Sequence, residues 1–569
     1  MVLIFFGLDE NLMHSKLSSD PAALGLLIDH KFKAKLLEDL DKCKKLEQFG
    51  KEGRLLVMGK PKDTAIGGLL YSIGQNLAAG YLMYDGKARR AEDPDWYEHA
   101  NRVVSDAMSS IVSIMKSAII LAEKTRGSCY ANLAKIVYHP PITLFRGMYT
   151  GCPGIVVSAG PSLAKNIDVL AEMQERGILV AVSTVCSRLL EHGIVPDFVC
   201  TLDYHPVSAE YIRRVDSKMQ DSTLIALPGA ASEAVNAWHG RMSFTGDSSL
   251  QHVLKSLGAD REPLEGGGTV AHLAFSFSRH LGCDPIVFVG QDLSYTETET
   301  HFEGAGLVGG KDYIKQLRPP EEAKRIGYNL YEYKGTRIAP LLREAEGIGG
   351  ETVYTDMHMA SYATQFAHLF ERTKATVINA TEGGILKQGC QILPLKDVAV
   401  RWCRNTVKRK RPTNKIRRYF REVPTKDEIR GVLTYSKTEA LEMEAALREC
   451  QGLFEKVYLA SERGDDAHET YQAVRAKFAE AEKAHPSLKQ ELDRLCQAMA
   501  LRKDRTIDET AADILRGHKA KAHYIRAGCN VDCMYAASKG ARLIAEYCNK
   551  AMESLDLMDV QSIRQAWLD

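Results

Sequence analysis

Three short stretches hold residues whose types and order suit the handling of an anionic ligand. The first is Ser158-Ala-Gly-Pro-Ser-Leu163, an apolar run that ends in a Gly turn and a helix opening with Pro161 and Ser162. Proline suits a first helical turn, where its missing N–H costs no bond. The free amides and dipole of a helix start favour phosphate. The stretch is neither GxGxxG nor GxxxxGK(S/T), so a dinucleotide fingerprint and an ordinary P-loop are both disfavoured. The second stretch is Gly266-Gly-Gly-Thr269, ahead of Val270, Leu273, Ala274, Phe277 and Leu281 at helical spacing. Three glycines let backbone approach a ligand closely, and Thr269 can cap the helix while its amides face an anion. The third is Gly290-Gln-Asp-Leu-Ser-Tyr295, with His301 six residues beyond the tyrosine. Asp292 suits a general base, a metal partner or a sugar-hydroxyl acceptor, and His301 a general acid or base. Each stretch also has a bland reading: a plain strand-to-helix turn, a flexible helix entry, an exposed loop histidine.

The elements that would position these residues are strands alternating with helices. Apolar runs at Gly154–Ser158, Ile178–Val182, Phe198–Leu202, Thr223–Leu227, Pro285–Val289 and Ala375–Asn379 read as strands. Helical spacing follows at Leu163, Ile167 and Leu170, and again from Val185 to His192, closed by Gly193. Continuous apolar strands between helices imply a parallel sheet covered on both faces. In such a sheet the ligand sits beyond the carboxyl ends of the strands. That rule puts Gly160, Thr184 and Asp203 on one rim, where Thr184 and Asp203 can partner ribose or base.

The zones on either side differ in texture. Residues 1–150 mix helical and short apolar segments, with the longest helix expected from Asn101 to Lys124, and read as a supporting domain. The apolar start Val2–Phe6 lacks a basic leader, and nothing approaches the ~20 apolar residues of a membrane span. From about Ser294 to Ile348 the chain is Gly-rich and aperiodic, as functional or mobile segments are. Ten basic residues lie between Arg401 and Arg421. They read as a solvated connector or, more sharply, a docking strip for an acidic partner. After Asp427 the chain reads as helical throughout, with Ala440, Met443, Leu447, Cys450, Phe454 and Val457 as a bundle seam. The fold class is α/β: a central Rossmann-like parallel sheet over 151–395, an N-terminal mixed domain over 1–150, a basic connector over 396–426 and a helical domain over 427–569.

Composition narrows the function. The chain has 569 residues, 74 Lys plus Arg against 73 Asp plus Glu, and a formal net charge of +1. A protein built to grip nucleic-acid backbone needs a clear basic excess. Thirteen cysteines without metal-ligand spacing fit a reducing cytoplasm.

Taken in order, AGPSL, the polar strand ends, GGGTVAHLAFSFSRHLGCDPIVFVGQDLSY and Asn379-Ala-Thr-Glu-Gly-Gly384 resemble the motility accessory factor (Maf) glycosyltransferases. These belong to a wider group similar to the archaeal 6-hydroxymethylpterin diphosphokinase, the MptE-like domain. The resemblance spans about 150 to 390. It implies a sialyltransferase-like fold, and transfer of a nonulosonic acid of pseudaminic or legionaminic type from a CMP-sugar to Ser or Thr of flagellin in the cytoplasm. By that analogy Gly160, Pro161 and Ser162 face the donor phosphate, and Thr184 and Asp203 lie near ribose and cytosine. Gly267, Gly268 and Thr269 lie near the base or the departing CMP, with Gln291 beside them. Asp292 and His301 are the candidate catalytic bases. On this reading Gly267→Val abolishes donor binding and leaves the fold intact. The resemblance requires no resident cofactor, gives the CMP-activated sugar as substrate, and leaves a role for Mg²⁺ open. An ATP-dependent diphosphoryl transfer to a pterin is the enzyme alternative and would use Mg²⁺ held by Asp203 and Asp292. A non-catalytic flagellin-binding adaptor is the other.

Overall fold

The computed structural model describes residues 2–6, 8–19, 24–28, 45–46, 48–49, 52, 54–58, 81–85, 87, 91–247, 250–295, 331–333, 337–339, 343–463, 468–486, 488 and 519–568. The apolar run at the start of the chain is a strand. β1 (Val2–Phe6) pairs in parallel with β2 (Leu24–Ile28) on one side and β4 (Tyr81–Asp85) on the other, and β3 (Leu55–Met58) extends the sheet beyond β2. A strand flanked on both edges and covered on its faces must be apolar throughout, and Leu3 to Phe6 are all nearly inaccessible. The mixed N-terminal texture thus resolves into a four-stranded parallel sheet.

The central sheet has eight strands, every pairing parallel. They are β5 (Gly154–Val157), β6 (Ile178–Val182), β7 (Phe198–Thr201), β8 (Thr223–Ala226), β9 (Arg241–Phe244), β10 (Ile286–Val289), β15 (Val377–Asn379) and β16 (Gln391–Ile392). The intervening β11 (Tyr331–Tyr333) and β12 (Arg337–Ala339), and β13 (Arg343–Glu346) and β14 (Thr352–Thr355), form two separate antiparallel pairs. The α/β class is therefore as the sequence implies. Two central strands lacked a sequence signal. β9 reads Arg-Met-Ser-Phe and β16 is the exposed two-residue edge Gln391-Ile392, so neither has the continuous apolar run of a buried strand.

The order of strands is β16-β15-β10-β5-β6-β7-β8-β9. From β5 the chain winds outward to β9, then returns to β10 on the other flank of β5 and winds outward to β16. The reversal lies between β5 and β10, the place where an open parallel sheet leaves a crevice at its carboxyl rim. The helix Val270–His280 crosses the face of β5, β6 and β7 and feeds β10, so its first turn stands on that rim. The first turns of Leu163–Met173, which leaves β5, and Met357–Glu371, which feeds β15, stand there too.

Helices cover the remainder. Pro94–Ala131 is longer than the periodicity implied because Asp93 caps it, accepting from Trp96 N at 3.3 Å, with Pro94 in its first turn. Lys426–Arg463 packs along Lys519–Asp556, and the expected seam from Ala440 to Val457 is buried. Of the stretch expected to be helical after Asp427, residues 464–467, 487 and 489–518 lie outside the described residues. The basic connector does not hang in solvent throughout. Arg409 binds Asp197 at 2.8 and 3.1 Å and the carbonyls of Glu175 and Gly177, while Thr413–Glu422 is helical.

Candidate functional site at the strand-order reversal

Three loops meet where the order reverses. The turn after β5 is bonded to the one after β10: Ser158 N donates to Val289 O and Gly160 N to Gly290 O, at 2.9 and 2.8 Å. The Ser158 hydroxyl donates to Gln291 Oε1 at 2.6 Å. The segment Asn379–Gly384 closes the group. Thr381 Oγ1 accepts from Gln291 N at 3.0 Å, the Asn166 amide donates to the carbonyls of Ala380 and Thr381, and Lys165 Nζ donates to Glu382 O at 2.7 Å.

The packing is close enough to require glycine. A Cβ at Gly160 would lie 2.0 Å from Asp292 Oδ2 and 2.5 Å from Gly290 O. One at Gly383 would lie 2.1 Å from Ser162 Oγ, and one at Gly384, where φ is +84°, would lie 2.0 Å from Asp292 O. Leu293 and Glu382 take left-handed φ values of 52° and 60° without being glycine. Such conformations cost on the order of 1–3 kcal/mol each and cluster where a fold is held for a task.

Asp292 is the hub of this packing. It is 4% exposed, and its Oδ1 accepts from Ser162 N at 3.2 Å. Burial pushes its carboxyl up to about 6 against the opposing pull of Ser162 and Lys165. The carboxylate therefore occupies the anion position that the sequence assigned to a donor phosphate. The next amides of this turn are also engaged: Leu163, Ala164 and Lys165 donate to the carbonyls of Gly160, Pro161 and Ser162. Gly160, Pro161 and Ser162 form a braced floor beside the crevice, with Asp292 beneath.

Exposed main chain lies instead at the triple glycine. Gly266, Gly267 and Gly268 are all exposed. Gly268 N donates to Gln365 Oε1 at 2.8 Å, whereas the amides of Gly266 and Gly267 have no bond among the described residues. The close approach that the glycines permit is partly internal. A Cβ at Gly267 would lie 2.3 Å from the His272 ring, one at Gly268 would lie 2.4 Å from Tyr362, and at Gly266 there is open space. Gly267→Val therefore cannot leave the fold untouched, because His272 is fully buried and stacked on Phe366 at 3.7 Å. Thr269 reaches back to the same ring, its hydroxyl 2.8 Å from His272 Nδ1. Burial pushes His272 down to about 3, so it stays neutral.

Thr184 and Asp203 each lie two residues beyond the ends of β6 and β7, on the same rim as Gly160, and both are half-buried. Asp203 Oδ1 accepts from His205 N at 2.8 Å. Tyr362 links this part of the rim to the glycines: it touches Gly268, and burial first, then Asp356 and Tyr204, raises its hydroxyl pKa. Asp356 caps Met357–Glu371 through Met359 N and accepts from the Tyr295 hydroxyl. Tyr204, Asp356 and Tyr362 were not singled out by sequence reading, and Tyr295 ended the third stretch without a role. Tyr295 and Asp356 sit 61 positions apart, and no local spacing ties them. His301 lies outside the described residues. No group of three His, Cys, Asp or Glu side chains among the described residues is placed to hold a metal ion, and no helix among them is long and apolar enough to cross a membrane.

Comparison with known proteins agrees with the MptE-like resemblance of the central region. The model of a family described as 6-hydroxymethylpterin diphosphokinase MptE-like matches residues 128–298, from the end of the Pro94–Ala131 helix to just past Tyr295. No curated protein matches the chain. Among solved structures, a Maf glycosyltransferase from Magnetospirillum magneticum AMB-1 aligns over 100% of this chain and 78% of its own, at 14% identity and a TM-score of 0.48. The region that holds the order reversal, the polar strand ends and the triple glycine is thus the region that resembles the MptE-like family.

Proposed function

We propose that the chain is a glycosyltransferase that moves a nonulosonic acid of pseudaminic or legionaminic type from a CMP-activated donor onto Ser or Thr of flagellin, in the cytoplasm. The observation that carries this reading is the rim at the order reversal, where the exposed amides of Gly266 and Gly267 share one edge with Thr184 and Asp203. Main-chain N–H groups at the start of Val270–His280 suit the donor phosphate and the charge that grows on departing CMP. Thr184 and Asp203 suit ribose and cytosine. The braced Gly160–Ser162 turn fixes the floor, and Asp292 acts through it as a positioning residue.

The chemistry is a displacement at the anomeric carbon. The acceptor hydroxyl attacks, its proton passes to a base, the sugar–phosphate C–O bond breaks through an oxocarbenium-like state, and CMP leaves with the electron pair. His301 is the candidate base from the sequence. The helices after residue 427 are the surface we assign to the protein acceptor.

Diphosphoryl transfer from ATP to a pterin is the second reading, favoured by the match over 128–298. Asp292 is buried, with its Oδ1 accepting from Ser162 N, which leaves the half-buried Asp203 as the rim carboxylate for Mg²⁺. Calorimetry separates the readings: CMP binding supports glycosyl transfer, and ATP binding that needs Mg²⁺ supports the kinase. Binding of neither supports an adaptor. Gly266→Ala is the clean probe of the donor site, since its Cβ meets nothing within 4 Å. It should leave thermal stability unchanged and weaken CMP by about tenfold, roughly 1.4 kcal/mol; wild-type affinity would remove the triple glycine from the site. Intact-mass analysis of flagellin co-expressed with the chain, in a host that makes the activated sugar, tests the reaction itself. An unchanged mass counts against it.

A further inference from the structure

From Arg401 to Arg421 the chain has ten Lys and Arg and no Asp or Glu. With ten of the 74 basic residues here and none of the 73 acidic ones, the rest of the chain is net negative. Part of this charge is spent inside the protein. Arg409 is held by Asp197 at 2.8 Å and lies 3.9 Å from Glu175, Lys410 donates to Met148 O at 2.9 Å, and Arg411 lies 3.6 Å from Asp221.

The helix Thr413–Glu422 turns the next cations outward. Its inner side is fixed to the body: Ile416 and Phe420 are buried, the Tyr419 hydroxyl donates to His139 O at 3.1 Å, and Arg564 Nη2 donates to Phe420 O at 2.7 Å. By helical spacing Lys415, Arg417, Arg418 and Arg421 fall on the opposite side, and all four are exposed. Glu422 is the helix's one carboxylate, and Arg418 takes it at 2.9 Å. The carboxylates that follow are engaged as well. Asp427 and Asp556 pair with Arg430, Glu428 binds Thr425, and Asp559 binds Ser562. Lys415, Arg417 and Arg421 are in no ion pair among the described residues. They span about 9 Å along the helix axis. The helix dipole favours cations only in its last turn, and Lys415 and Arg417 stand before it.

We propose that this helix face docks an acidic segment of a partner protein, with carboxylates on Lys415, Arg417 and Arg421. Guanidinium forks match carboxylate oxygens. The helix is already folded and pinned on its inner side, so docking does not have to order its backbone. A lipid surface fits less well, because Ile416, Tyr419 and Phe420 face the body and cannot insert. Single-stranded nucleic acid fits less well for the same reason, since its bases need exposed rings to stack on. The inference is independent of the proposed sugar transfer.

The test uses the full chain and the fluorescence anisotropy of a labelled oligoglutamate peptide. Labelled oligothymidylate and vesicles of phosphatidylcholine with phosphatidylserine are the competing probes. We expect oligoglutamate to bind more tightly than either, and to weaken by about tenfold between about 50 and 200 mM salt. Arg417→Gln combined with Arg421→Gln should weaken the peptide by about tenfold and leave the melting temperature unchanged, because both side chains are exposed. Arg214→Gln combined with Lys218→Gln removes the same charge from another exposed surface and should bind the peptide as the wild type does. No binding of oligoglutamate at low salt, undiminished binding to the Arg417 and Arg421 double variant, equal loss in the two double variants, or tighter binding to vesicles or oligothymidylate would each overturn the assignment.

Discussion

At the residue scale, the side chain that most shapes the crevice is Asp292. Its carboxyl, raised to about 6 by burial, holds a proton in the folded state over a pH range in which the unfolded chain has released it. Its contribution to stability is therefore fully present below about pH 3.8 and lost as pH rises through 6. Asn mimics the protonated form. The stability of Asp292→Asn relative to wild type should then improve between pH 4 and pH 7 by about 2–3 kcal/mol, followed as the difference in urea midpoints. A pH-independent difference would show that the carboxyl is not perturbed. Gly160→Ala tests the same packing from the other side. Its Cβ collides with Asp292 and with the Gly290 carbonyl, so about 1–3 kcal/mol of destabilisation is expected in urea. The sequence made Gly160, Ser162 and Asp292 visible as residues worth attention, because Gly, Pro and Ser at a strand end announce a turn. It did not make their relation visible. The Asp292–Ser162 bond joins positions 130 apart, so a carboxylate that reads locally as a free base is the anion filling a neighbouring helix start.

At the scale of elements, the strands were legible where burial demanded a continuous apolar run, as in β5, β6 and β10, whose residues are all buried. β9 was not, because its Arg241 lines a cavity at the strand starts and its Ser243 is satisfied by the Pro140 carbonyl, so its composition answers to neighbours rather than to strand pattern. The helix ends show a similar debt to distant partners. Leu133–Tyr138 ends against Arg261, whose guanidinium donates to the carbonyls of Val137 and His139 at 3.5 and 3.2 Å, to Ile136 O, and to the Tyr419 hydroxyl at 3.0 Å. A cation at a helix carboxyl end is favourable, and a buried one satisfies carbonyls that water cannot reach. Arg261→Met keeps the apolar stem and removes every one of these bonds. It should cost about 2–4 kcal/mol in chemical denaturation, and an effect under about 0.5 kcal/mol would mean that the carbonyls find other donors.

At the scale of the whole molecule, buried histidines govern the acid limit. Burial pushes His139 and His272 down to about 3 and His252 to about 4, from an ordinary value of 6.5. The unfolded chain takes up these protons first, so stability is present above pH 6.5 and is lost as pH falls toward 4 and then 3. Each group contributes roughly 1.4 kcal/mol per pH unit within that window. Thermal melts from pH 7 to pH 5 should show a steep fall, and His139→Gln should flatten it; an unchanged slope would exclude His139 as a source. His139 also receives the Trp567 indole N–H at 3.2 Å, so the last helix, Val560–Leu568, is anchored to the same buried ring. The reversal of strand order has a further consequence, for synthesis. Gly154 pairs with Ile286, and the intervening chain must be made before that side of β5 finds its partner. At about 5–20 residues per second, a ribosome leaves this apolar edge open for roughly 7 to 26 s. Such an edge is a template for aggregation, so heterologous expression should gain from slower growth or added chaperone while the seam between the halves is still unmade.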